Sequence, residues 1–137
     1  MMHLIEKLES GVFILNILMA AFLAILFLQS GLDKVIDWKG NLSWLKGHFS
    51  KTFFKNSVPL MLLLITFTEL LAGGFSLVGI FEIVMQGTTK MALWGAEFSA
   101  LNLVMLFFGQ RIAKDYEGAA SLVNYFILAA LAIILFG

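Results

Sequence analysis

The sequence predicts an all-α fold: an integral membrane four-helix bundle with an additional interfacial amphipathic helix between helices 1 and 2. Three observations predict it. Apolar residues make up 61% of the 137-residue chain and charged residues 13%, whereas water-soluble domains are nearer half apolar and a quarter charged. Four apolar runs approach the roughly 20 residues that a bilayer-crossing helix needs. Between the first two runs lies a stretch rich in lysine whose apolar residues recur at helical spacing. The length suits one transmembrane domain over residues 1–137.

The first run spans about Val12 to Leu32. It exceeds the roughly 7–15 residues of a signal-peptide core and is read as a retained span. The second runs from about Val58 to Phe81, with Asn56 or Ser57 placed to cap it and Pro59 tolerated in its first turn. The third covers about Met91 to Phe108, with Thr88 or Thr89 as cap and Gly109 as a stop signal. The fourth covers about Ala119 to Phe136. At roughly 18 residues each, the last two are near the short limit for spanning.

The stretch from Trp38 to Asn56 places Trp38, Leu42, Leu45 and Phe49 on one helical face and Lys39, Ser43, Lys46 and Ser50 on another. That pattern suits a helix lying in the membrane interface. Trp38 and Trp44 fit the headgroup level, and Lys46 and Lys51 can meet anionic lipid. A plain wet loop is the other reading. Lysines and arginines also predict orientation. Seven lie in the loops after the first and third runs, against Lys7 and Lys90 on the opposite side. The positive-inside rule therefore puts both termini on the periplasmic or external side.

Several chemistries are excluded. The chain has no cysteine, so disulfides, thiol nucleophiles and cysteine-held clusters are absent. Its two histidines, His3 and His48, fall outside the apolar runs, which leaves no intramembrane bis-histidine haem and no evident metal site. His48 reads most simply as a solvated interfacial residue. The balanced charge, nine basic against nine acidic side chains, excludes a basic nucleic-acid binder. No glycine-rich phosphate loop is present, and no nucleophile–base pair marks the chain as an enzyme on its own.

Polar residues inside the apolar runs carry the functional signal. A charge at bilayer depth costs at least about 2.5–3.5 kcal/mol. Glu69 lies near the middle of the second run, and Thr66, Glu69, Gly73 and Ser76 form a polar and small stripe that should face other helices. Ala92, Ala96 and Ala100 form a similar ladder on the third. Glu97 points away from Gly95, Ser99 and Asn102 on that helix, toward a second protein-facing side, a partner chain or nearby water. The first run ends in Gln29-Ser30-Gly31-Leu32-Asp33-Lys34. Glu69, Lys34, Gln29 and Asn102, or Asn124 in its place, are candidates for one buried polar site. Two readings stand: a cavity for a small polar ligand or a proton relay, or hydrogen-bonded glue between short helices.

Ser30-Gly31-Leu32-Asp33-Lys34, the segment Glu69-Leu70-Leu71-Ala72-Gly73-Gly74 followed by Gly79, and Gly109-Gln110-Arg111 through Asp115 and Gly118-Ala119 together resemble the DoxX/DoxD-like family of small membrane proteins. The resemblance covers most of the chain. It implies a four-helix membrane bundle in a bacterial inner membrane, an association with quinone-coupled sulfur oxidation or with membrane complexes that counter oxidative stress, and Glu69 and Lys34 as the matching polar positions. No covalently held cofactor is expected, and a quinone is the candidate ligand. Three functions follow in order: an accessory subunit bound to other membrane subunits or to itself, a quinone-linked redox subunit, and an oligomeric carrier for a small solute.

Overall fold

The structure is a computed structural model, and it describes residues 2–137. Five helices follow one another: α1 Met2–Ile36, α2 Trp38–His48, α3 Val58–Gln86, α4 Lys90–Ile112 and α5 Tyr116–Phe136. No strand occurs among the described residues. Helices α1, α3, α4 and α5 are long and apolar enough to cross a membrane.

The helix ends differ from the apolar runs because hydropathy marks where a chain is greasy, not where its hydrogen bonding stops. α1 starts ten residues earlier than expected and runs four residues past Leu32. α3 extends beyond Phe81 to a left-handed Gly87, which needs no Cβ and so closes the helix cheaply. Gly109 does not end α4. It lies buried inside the helix against Phe49. α5 begins at Tyr116, where the Asp115 carboxylate accepts from the Gly118 amide at 2.9 Å. Ser57 and Thr89 hold the N-cap positions without capping through their side chains. The Thr89 hydroxyl instead donates to the Phe136 carbonyl at 2.7 Å, and Glu82 Oε1 accepts from Met91 N at 3.0 Å. Helix α2 covers only the first part of the stretch 38–56; turns occupy most of residues 49–57.

α3 packs between α1 and α4, and α5 packs on α4. Small residues set the spacing. A Cβ on Gly73 would lie 2.7 Å from the Leu28 backbone nitrogen, and one on Gly79 would lie 2.7 Å from that of Ala92. Gly95 sits equally close over Ser76. Ala72, Ala92, Ala96, Ala129 and Ala132 are fully buried, with Leu23, Phe27 and Ile83 filling the space between them. Gly73, Ser76, Ala92 and Ala96 thus lie at helix contacts, while Ala100 is only half-buried. The stripe Thr66, Glu69, Gly73 and Ser76 points wholly inward.

These contacts fix the register. Gly31 lies against Leu70, and Leu28 against Gly73. The end of α3 at Gln86 is therefore level with Leu15 of α1. The N-terminal part of α1 projects beyond the bundle by about 20 Å at 1.5 Å per residue, and residues 2–15 are all exposed. The outward faces of the long helices are apolar, with Ile25, Phe67, Phe81, Val84 and Ile134 all exposed. Contiguous exposed apolar surface of this kind is rare on proteins that face water.

Candidate functional site

The site begins where α1 and α3 come closest. Gly31 allows the α3 backbone to approach, which carries the last turn of α1 alongside Glu69. Lys34 Nζ reaches across to 3.0 Å from Glu69 Oε1 and donates to Oε2 at 3.1 Å. The same ammonium donates to the Ser30 carbonyl, 3.3 Å away and one turn back. The pair is asymmetric. The Glu69 side chain is 2% exposed and that of Lys34 21%, so lysine connects a sealed carboxylate to the outside.

α4 supplies the third member. Asn102, fully buried, donates through Nδ2 to the Ile65 carbonyl at 3.1 Å and the Thr68 hydroxyl at 2.9 Å. Thr68 is itself anchored to the carbonyls of Leu64 and Ile65. These bonds orient the amide and leave Asn102 Oδ1 buried without a hydrogen-bond partner among the described residues. Glu69 Oε1 lies beside the ammonium without a well-aligned hydrogen bond. A buried acceptor left unmet costs about 1–3 kcal/mol.

Glu69 and Asn102 line a cavity of about 130 Å³ together with Ser30, Lys34, Leu106, Leu122 and Tyr125. A second cavity of about 240 Å³ lies under α2, lined by Lys34, Asn41, Trp44, His48, Leu106 and Gln110 among others. Lys34 and Leu106 belong to both walls. The outer cavity exists because α2 is pinned. His48 Nε2 is 2.8 Å from Gln110 Oε1, Trp44 stacks on the His48 ring at 4.5 Å, and Phe49 is buried against Gly109. Asp115 lies 3.8 Å from the same His48 nitrogen.

The structure brings together three of the four candidate residues, Glu69, Lys34 and Asn102. Gln29 is not among them. It lies five residues before Lys34, about 140° round the helix, and its side chain is exposed. Asn124 is exposed as well. Glu97 faces outward, beside Trp94, Phe98 and Leu101. Trp38 is half-buried, Trp44, Lys46 and Lys51 are exposed, and His48 is half-buried and hydrogen-bonded rather than simply solvated. Sequence reasoning missed the His48–Gln110 contact. A signal was present: Asn41, Trp44 and His48 share one face of α2 by their three- and four-residue spacing. Among the described residues no three His, Cys, Asp or Glu side chains gather to hold a metal ion. No protein-family model, curated protein or solved structure matches this chain.

Proposed function

We propose that this chain is a DoxX-like multi-pass subunit of a bacterial inner membrane, with periplasmic termini, whose Lys34–Glu69–Asn102 centre binds the headgroup of a quinone. In this reading α2 lies along the cytoplasmic interface and roofs the entrance. The observation that carries the proposal is the buried ion pair opening onto a cavity together with an unmet carbonyl acceptor, Asn102 Oδ1.

The residues fit such a ligand. Lys34 uses one donor on Glu69 and one on Ser30, which leaves a third of its three N–H groups for a carbonyl oxygen. Asn102 Oδ1 supplies an acceptor for a hydroxyl. Each cavity alone is smaller than the roughly 300–1,000 Å³ of common ligand sites, but the two meet at Lys34 and together suit a ring with a short substituent. A bound quinone would supply two-electron, two-proton chemistry. The chain holds no electron carrier ligand of its own among the described residues, so the electrons come from a partner subunit. Glu69 would give or take one of the two protons at its carboxyl, the second would exchange with water at the exposed Lys34 end, and Lys34 would hold the carbonyl oxygen and balance charge. This makes the chain an accessory component of a larger assembly rather than a lone enzyme.

The test is photolabelling with an azido-quinone in native membranes, followed by peptide mapping. Saturable labelling of α1, α3 or α4 peptides, displaced by excess quinone and reduced at least tenfold in Asn102→Leu, is the expected outcome. Labelling that is unsaturable, or equal in wild type and variant, overturns the headgroup site and leaves the ion pair as structural glue. Native-membrane purification with mass spectrometry of intact complexes tests the accessory role, and a chain that always runs alone overturns it.

A further inference from the structure

Gln29 on α1 and Glu97 on α4, like Asn124 on α5, face outward from the long helices and have no side-chain hydrogen-bond partner among the described residues. Gln29 is exposed on α1, directly opposite the buried face formed by Ala20, Leu23, Ala24, Phe27 and Gly31. Glu97 is exposed on α4, opposite the buried face formed by Ala92, Gly95, Ala96, Ser99 and Leu103. Their depths match. Gly31 against Leu70 and Leu28 against Gly73 put Gln29 level with Ala72 of α3. Gly79 against Ala92 and Gly95 against Ser76 put Glu97 level with Gly74. The two differ by two α3 residues, about 3 Å along the bundle.

We infer that Gln29 of one copy donates its side-chain amide to the Glu97 carboxylate of a neighbouring copy, and that this contact joins the chains into a closed ring. The inference rests on the bilayer embedding proposed above. In hydrocarbon neither group finds water, and lipid tails offer no hydrogen bond, so outward polar groups at this depth require protein. A second copy is the occupant that the chain itself supplies. Donor and acceptor are complementary, they lie at one depth, and both helices run in the same direction. The α1 side offers a ridge: Leu18, Phe22, Ile25, Gln29 and Leu32 are all exposed and recur at alternating spacings of four and three, the seam of a left-handed helix pair. The α4 side offers a groove of about 380 Å³ bordered by Trp94, Glu97, Phe98 and Leu101. Because different faces meet, the contact is heterologous, and an axis along the membrane normal closes it into a ring. A contact of Glu97 with its own symmetry mate would instead oppose two acids.

The cysteine-free chain gives a clean background for disulfide mapping. Leu32 and Leu101 are both exposed and level with Glu69 and Leu70 by the same register, so Leu32→Cys and Leu101→Cys report the contact while Gln29 and Glu97 stay intact. Oxidation in native membranes should give a ladder of dimers and higher species in the double variant and only monomer in either single variant. Adding Glu97→Leu or Gln29→Leu should lower the dimer yield at least fivefold, while Glu97→Gln, which keeps an acceptor, should stay within twofold. The inference is overturned by dimers from one single variant alone, by a ladder indifferent to Glu97→Leu, or by a chain found as one copy beside a foreign helix. It is also overturned if no ladder forms while the chain resists alkaline carbonate extraction. Release by carbonate would overturn the embedding itself.

Discussion

Replacing Lys34 by methionine tests whether the ion pair behaves as its burial requires. The substitution keeps an unbranched chain of similar length but leaves the carboxylate of Glu69, a residue only 1% exposed, with no cation. Removing one member of a buried pair costs about 3–5 kcal/mol, because the remaining charge is stranded away from water. The reverse substitution, Glu69→Leu, strands much less. The Lys34 side chain is 21% exposed and sits in the last turn of α1, so its ammonium can swing outward, and about 1–2 kcal/mol is expected. The double variant removes both charges and fills the space with apolar atoms, which in buried pairs is often neutral. The cycle therefore predicts Lys34→Met as the worst of the three and a double variant within about 1 kcal/mol of wild type, with a coupling of several kcal/mol. Reversible unfolding by SDS in mixed micelles, followed by far-UV circular dichroism, provides the stabilities. Equal losses in the two single variants, or a double loss equal to their sum, would refute the reasoning, since either result means that Glu69 is not sealed and the pair is not coupled.

Four further outcomes follow from packing and charge. Gly79→Ala puts a methyl group 2.7 Å from the Ala92 backbone and should cost about 1–3 kcal/mol in the same unfolding assay. Gly74→Ala meets nothing within 4 Å and should be neutral or gain up to about 1 kcal/mol. Gln110→Leu removes the partner of His48, worth about 0.5–1.5 kcal/mol for a single hydrogen bond. Trypsin cleavage at Lys46 and Lys51 in inside-out vesicles should accelerate about two- to tenfold, and an unchanged rate would mean that His48 does not pin α2. Alkaline phosphatase fused after Gly137 should be active in the periplasm and a cytoplasm-only reporter inactive; the opposite pattern reverses the topology.

Much of the candidate site was legible before its geometry. Glu69 stands out because a carboxylate in an apolar run is expensive, and its place in the stripe with Thr66, Gly73 and Ser76 follows from helical periodicity, which is a local property. Asn102 was legible for the same reason. Gln29 shares the end of α1 with Lys34, but side-chain direction turns by 100° per residue, and the two leave the helix on nearly opposite sides. The role of His48 was hidden because its partner Gln110 is 62 residues away in sequence. No local pattern encodes that distance.

Composition and hydropathy alone determined that the chain is helical, that four of its helices can cross a membrane, and that α2 is of another kind. Those properties depend on transfer free energies and on repeats of 3.6 residues, which neighbouring residues carry among themselves. Tertiary structure decided everything that depends on how helices slide and rotate against each other. Gly31, Gly73, Gly79 and Gly95 let the backbones touch at particular levels, and that register brings Lys34 to Glu69, buries Asn102 beside them with its oxygen unmet, and sets Gln29 and Glu97 at one depth. A helix specifies its own face from its sequence, but the neighbour that meets that face is chosen only when side chains from distant segments pack together.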